Sequence, residues 1–424
     1  MPNARETLDS APGRGARHPV FVLAMLLIVY TFNFVDRQIF GILAGPIKAD
    51  LGLSDTQLGA LGGFAFALLY STMGLPLAWL ADRRGRSPVI AASLAVWSGF
   101  TALCGLVTGF WAMFACRLGV GIGEAGGVAP SYALISDNFP AHQRARALAI
   151  YSLGIPLGSA AGIMLGGYVA AAVNWRAAFL VVGLAGLVFT PLFALLVRDP
   201  VRAPGRAASA PSMGAVIAVL ARKPAFWLLA FGAASCSMMG YGLAFWLPSL
   251  MRRSFGLDLV ETARFFGLLL LVGGTAGVLA GGFLADWLGS RSRAAYARVP
   301  ALSFLAGVPL FLAGLNCGSA SLAFWLFLLP QALVYIWLGP ILTAVQHLVA
   351  APMRATASAA FLLINNLIGV GLGALAIGTL SDWLTPTHGA DALRLAIEAG
   401  LGFYLLAAVL LLFAGRTLAR DWVD

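Results

Sequence analysis

"MLLIVYTFNFVDRQIFGILAG", residues 25–45, is a largely apolar run whose only charges are Asp36 and Arg37, side by side past its middle. At 1.5 Å per residue, a run of this length spans the ~30 Å hydrocarbon core of a bilayer. Each charge at the centre of such a helix costs about 2.5–3.5 kcal/mol on insertion scales, so the pair demands a partner or a function. The run is one of many. Apolar stretches of 18 or more residues recur near 19–45, 55–80, 88–107, 110–137, 145–172 and 176–198, then near 224–250, 262–288, 295–315, 320–350, 355–384 and 393–415. They predict twelve membrane-spanning helices. The chain is 60% hydrophobic and 10% charged, with 50 glycines in 424 residues. A soluble protein of that length needs a larger polar fraction to cover its surface.

The net charge of +10 raises the possibility of a nucleic-acid partner, and its placement removes it. Nineteen of the 27 basic residues fall in the termini and the alternate loops on one side, notably 83–86, 198–223 and 291–298. Only Lys48, Arg176, Arg252, Arg253, Arg264 and Arg394 fall on the other. By the positive-inside rule both termini are expected in the cytoplasm. The first run is too long for a signal-peptide core and lacks a small-residue cleavage site, so it is expected to stay as helix 1. Cys104, Cys116, Cys236 and Cys317 lie in or beside different helices without CxxC spacing, which predicts reduced packing residues and no metal site.

An internal repeat organises the chain. "WLADRRGRS" (79–87) and "FLADWLGSRS" (283–292) share LAD-x-x-G, with Asp82 and Asp286 separated by 204 residues. Between the halves lies "VRDPVRAPGRAASAPSMG" (197–214), a Pro-, Ala- and Arg-rich linker. The expected division is a tail at 1–18, a six-helix bundle at 19–198, a linker at 199–222, a second bundle at 223–416 and a tail at 417–424. Two six-helix halves with a site between them at mid-membrane is a transporter architecture. "GIGEAG" (121–126) fits the dinucleotide pattern GxGxxG, but no strand precedes it and no helix opens at its glycines. Gly119, Gly123 and Gly127 instead recur at every fourth residue, as do Gly154, Gly158, Gly162 and Gly166, and Gly273, Gly277 and Gly281. Such rows allow close helix approach. No nucleophile–base set or nucleotide loop is present, so no cofactor and no enzymatic activity are expected.

"LADRRGR" (80–86) resembles the loop 2–3 signature of the major facilitator superfamily, and "RLGVGIGEA" (117–125) its helix-4 motif. "NFVDR" in helix 1, "WSGFTALCG" (97–105), "GVGIGEAGGVAPSYALISDNFP" (119–140), "FWLPSL" (245–250) and "RATASAAFLLINNLIGVGLG" (354–373) resemble the spinster branch. Ala374 departs from the pattern, where Pro is expected after "GLG". The resemblance implies an all-α integral membrane fold of two pseudo-symmetric six-helix bundles, acting as a monomer in the inner (plasma) membrane. It also implies that helices 5 and 8 face each other across the two halves, their glycine rows providing thin surfaces that can approach and part. Asp82 and Asp286 would each hold the N-terminal end of a helix from the opposite half, near Arg354 and Arg144 respectively, closing the cytoplasmic mouth. Arg83 and Arg86 belong to the same gate motif.

Asp36, Arg37, Arg117 and Glu124 are the ionisable residues well inside the helices. Arg117 and Glu124, seven apart, share one face of helix 4. Asp36 lies about 24 Å along helix 1 from Val20, a depth that Arg117 and Glu124 bracket. Two acids and two bases are thus expected to meet across helices 1 and 4, either as a static ion network or as a proton-coupling and headgroup site. The resemblance implies a central cluster of Asp36, Arg37 and Glu124; either acid could carry the proton. Tyr30, Asn33, Phe34 and Phe40 on helix 1 are expected to line the cavity. Tyr132, Tyr241, Phe245, Gln331, Tyr335 and Asn365 would complete the lining, with Tyr70 as a further aromatic. The expected cargo is a lysophospholipid or sphingolipid-type anion moved with protons; the rivals are a small organic anion, a multidrug export activity, or a non-transporting scramblase or sensor.

Overall fold

The computed structural model describes residues 18–199, 213–289 and 291–423. The first half comprises α1 (Pro19–Leu51), α2 (Asp55–Arg84, through a π turn at Ala60–Phe64), α3 (Arg86–Cys104), α4 (Phe110–Ala125 and Val128–Asn138), α5 (Ala141–Ser152 and Gly154–Ala172) and α6 (Trp175–Leu196). The second comprises α7 (Pro224–Ser254), α8 (Leu259–Leu269, a π turn at Leu270–Gly274, then Thr275–Gly289) and α9 (Ala295–Asn316). It continues with α10 (Ala320–Leu333 and Leu338–Gln346), α11 (Arg354–Asn365, a π turn at Asn366–Val370, then Gly371–His388) and α12 (Ala392–Gly400 and Gly402–Asp421).

Ten stretches are long and apolar enough to cross a bilayer, one of them a 66-residue run that holds both α11 and α12. The twelfth span is α4, whose two pieces reach spanning length only together. Its break follows Glu124 at Gly126–Gly127, where the missing side chains make a bend inexpensive. Large apolar side chains such as Val188 and Phe283 are more than two-thirds exposed, as lipid-facing helices require.

The 204-residue repeat is also a repeat of backbone devices. Ser54 and Gln57 form a capping box at the start of α2, and Asp258 and Glu261 form one at the start of α8, 204 residues on. A π turn follows in both helices, three residues after the box in α2 and nine after it in α8. Two ends of the molecule can therefore be named from the sequence order. The basic end carries the α2–α3 and α8–α9 loops, and the far end carries the starts of α2 and α8.

Two boundaries differ from expectation. The linker holds a helix, Met213–Ala221, whose apolar sequence is too short to span a membrane and which buries Val216 and Leu220. α12 continues past residue 416 to Asp421. There the Asp421 carboxylate accepts from Ala225 N–H (3.1 Å) at the start of α7, and Trp422 stacks on His347 with centroids 4.4 Å apart. The expected tail is thus seated on the second half, satisfying an otherwise orphaned amide of α7.

The glycine rows pack elsewhere than expected. Gly154, Gly158, Gly162 and Gly166 lie against α1, at Tyr30, Thr31, Val35 and Ile39, and Gly273, Gly277 and Gly281 lie against α10. Each row thins a contact inside one half. The halves meet instead through α1–α7 at Gly41 and Phe245, through α5–α8 at Gly167 and Ala263, and through α2–α11 at Gly59, Gly63 and Gly378.

Candidate functional site

α1 and α4 turn their charged residues toward each other at mid-membrane. Arg37 Nε donates to Glu124 Oε2 at 2.7 Å, with Glu124 fully buried and Arg37 10% exposed. The guanidinium lies 5.1, 4.9 and 4.5 Å from the ring centroids of Phe34, Phe66 and Tyr70, so aromatic faces take up the part of its charge that Glu124 leaves. Arg117 is also buried, 5.3 Å from the Phe66 centroid and 5.1 Å from that of Phe40. Phe66 therefore touches both cations.

Arg117 makes no ion pair among the described residues. Its Nε donates to the Leu61 carbonyl at 3.2 Å, inside the π turn of α2, where the wider backbone ladder leaves an oxygen for a side-chain donor. Asp36 is 3% exposed and neighbours Thr101, Glu124 and Arg117. Its Oδ1 has no hydrogen-bond partner among the described residues, and neither have Glu124 Oε1, Asn33 Oδ1 and Arg37 Nη2. The four charges come together, but only Arg37 and Glu124 form a direct pair.

A small cavity opens beside them, lined by both arginines with Gln38 and Gly41 of α1 and Gly62 and Phe66 of α2. The second half supplies Tyr241, Ala244 and Phe245 of α7 and Val370 and Ala374 of α11. Ala374 also accepts the Trp246 indole N–H through its carbonyl at 2.8 Å, a bond that a proline at the same position would leave possible. A second, smaller hollow lies between Ile155 and Ser159 of α5, Leu270 and Val278 of α8, and Tyr335 beside α10.

Several expected lining residues sit behind this surface. Phe40 is fully buried and stacks on Phe245 (5.9 Å). Asn33 and Phe34 are buried around Arg37 and Glu124. Tyr30 stacks on Tyr151 at 4.3 Å, and Tyr132 meets Tyr151 edge-on at 5.5 Å, making a tyrosine cluster toward the basic end. Asn365 accepts from Ser237 Oγ at 2.8 Å, and Gln331 packs against Gly273. Phe66, Gln38 and Tyr151 carried no signal in the sequence, being ordinary residues in apolar runs.

At the basic end, Asp82 is exposed and faces Arg86 at 3.6 Å within its own loop. Arg86 also pairs with Asp137 of α4, and Asp199 caps α3 by accepting from Arg86 N (2.8 Å) and Ser87 N (2.9 Å). Arg83 lies 4.0 Å from the Trp79 ring centroid. Arg144 is exposed and donates to the Phe139 carbonyl, and Arg354 is half-buried at the start of α11. The side chain of Asp286 lies outside the described residues.

The same arrangement of helices occurs in known proteins. The chain is 34% identical over its whole length to an MFS-type efflux pump of Mycolicibacterium smegmatis, covering 99% of that protein. It is 28% identical to human protein spinster homolog 1, with 88% of this chain and 74% of that one covered. The solved structure of a bacterial homologue of the human lysosomal transporter spinster, inward-facing and unoccupied, superposes with a TM-score of 0.88 at 29% identity, covering 97% of this chain and all of the other. A profile of the Major Facilitator Superfamily matches residues 26–374, and with the twelve-helix fold around a charged central cavity it assigns the chain to that superfamily of membrane transporters.

Proposed function

We propose that this secondary transporter is proton-coupled and moves an amphiphilic, lipid-like anion by alternating access. We place it in the inner (plasma) membrane with both termini in the cytoplasm, so that the basic end is cytoplasmic. The observation that carries the proton coupling is Asp36, buried beside the Arg37–Glu124 pair with one oxygen that nothing donates to. No donor fixes that oxygen in one charge state, so Asp36 is free to take up and release a proton. Glu124 has its charge answered by Arg37 and can stay ionised. Asp36 is accordingly the proton carrier in this reading, and Glu124 the counterion.

The cargo reading rests on the cavity. Arg37 and Arg117 both border it and offer donors to a phosphate or carboxylate, while Phe66, Tyr241, Ala244 and Phe245 offer apolar wall. An arriving headgroup competes with Glu124 for Arg37, which links cargo binding to the charge state of the cluster. The hollow beside α5, α8 and α10 supplies further apolar surface for a tail. Purified protein in liposomes under an imposed pH gradient tests the reading. Uptake should follow the gradient, and affinity in nanodiscs should rise with acyl length by up to about 0.8 kcal/mol per buried methylene. A flat series, with a short carboxylate binding as well as a long-chain lysolipid, would reject the lipid cargo. It would promote the second reading, export of small organic anions or drugs, which the likeness to an efflux pump favours. Lipid movement indifferent to the pH gradient would instead indicate a scramblase.

A further inference from the structure

The expected gate lies at the basic end, yet among the described residues the densest polar contact between the two halves is at the far end. Asp55, the first residue of α2, is 2% exposed. Arg253, near the end of α7, donates to both of its oxygens at 2.8 Å, from Nη1 to Oδ2 and from Nη2 to Oδ1. Ser381 of α11 donates to Oδ2 at 2.8 Å, and Lys48 of α1 pairs with Oδ1. The next residue of α11, Asp382, returns the contact by accepting from the backbone N–H groups of Asp55 (3.0 Å) and Thr56 (2.7 Å).

The start of α2 is thus held from the second half in two independent ways. Its side chain is gripped by a bidentate arginine, and its first amides are capped by a carboxylate of the other bundle. Below this knot the α2–α11 contact is backbone against backbone. A Cβ at Gly59 would collide with the Ala374 carbonyl, and one at Gly378 with the carbonyl of Asp55. Farther round, Arg264 of α8 donates to the Tyr168 hydroxyl of α5 at 3.0 Å. The 204-residue repeat gives Asp55 no acidic counterpart, since Leu259 stands at the equivalent place. The knot is therefore made at the start of α2 and is not repeated at the start of α8.

We propose that Asp55, Arg253 and Asp382 form the lock that keeps the cavity closed toward the far end, and that breaking it is required for the cavity to open there. The proposal rests on the transport reading, because a lock between halves has a task only if the halves rock. It nevertheless makes a claim about conformation that no cargo is needed to test. Removing Arg253 leaves buried Asp55 with only Lys48 and Ser381 to answer its charge in the closed state, so the closed state is the one penalised.

Hydrogen exchange on the full-length protein in nanodiscs reads the balance directly. With Arg253→Gln, exchange should speed up at least about threefold in peptides covering 46–58, 246–258 and 376–390. It should slow in peptides covering 72–84 and 354–362, as the far end opens and the basic end closes. Asp55→Asn and Asp382→Asn should shift the same peptides in the same directions. The Asp55→Asn, Arg253→Gln double variant should shift them no further than the stronger single one. Arg253 sits at an exposed helix end, so its variant remains informative if a substitution at buried Asp55 fails to fold. Faster exchange confined to the far end, with the basic end unchanged, would mean local fraying and would overturn the lock, as would additive effects in the double variant. Because no substrate enters the measurement, a wrong cargo assignment leaves its outcome unaffected.

Discussion

Asp36 and Glu124 are two carboxylates at similar depth, and their surroundings separate them. Glu124 is bonded to Arg37 at 2.7 Å, whereas Asp36 has an oxygen without a donor. Asp36→Asn mimics the neutral acid and should abolish accumulation against a gradient while leaving downhill exchange, measured in the same proteoliposomes with and without a pH difference. Glu124→Gln should behave differently. It strands Arg37 inside the protein, a loss of about 3–5 kcal/mol of the kind that breaking a buried pair produces, so both binding and transport should fall. If the two variants had identical profiles, the division of roles between the acids would be wrong. Arg37→Ala should lose cargo binding outright. The four charges were legible in the sequence because charges inside apolar runs stand out. Which acid reaches the arginine was not, since seven residues of helical spacing fix a face without fixing the rotamer or the partner across the gap. Phe66 was invisible for a plainer reason: it is one of 27 phenylalanines.

At the scale of elements, the twelve spans could be read from hydropathy, and the glycine rows from their fourfold spacing. Where those rows point could not be read, because spacing marks a thin face and says nothing about which helix lies on it. The structure sets Gly162 against the Val35 backbone of α1, with the Val35 carbonyl oxygen 2.6 Å and Cα 2.8 Å from a Cβ built there. Backbone cannot swing aside, so Gly162→Ala should destabilise by about 1–3 kcal/mol, seen as a lower melting temperature in detergent. Gly99 in α3 has nothing within 4 Å of such a Cβ. Gly99→Ala should therefore be neutral, or stabilising by about 0.5–1 kcal/mol, since glycine inside a helix costs that much relative to alanine. A Gly162→Ala protein of normal stability that cannot transport would restore the idea of a sliding surface between halves. The π turns and the break in α4 also escaped sequence reading, because no residue type announces an i→i+5 bond.

For the whole molecule, the two ends differ in charge and in what holds them. The basic end carries Arg83, Arg84, Arg291 and Arg293, together with the seated C-terminal residues Asp421 and Trp422. The far end carries few charges, and several of these are paired across helices, as in Arg176 with Asp50 and Arg253 with Asp55. Charges that serve topology act through their side of the membrane alone, while charges that close an access path must find partners in the opposite half. That contrast makes orientation the premise of every statement about which side the cavity serves. Arg84 is exposed in the α2–α3 loop and Asp258 is exposed at the start of α8, at opposite ends of the molecule. In a background with Cys104, Cys116, Cys236 and Cys317 replaced, a cysteine at Asp258 should react with a membrane-impermeant maleimide in intact cells. One at Arg84 should react only after the membrane is permeabilised. The reverse pattern would invert the molecule, turn the Asp55 knot toward the cytoplasm, and make the far-end lock the barrier against the cell interior.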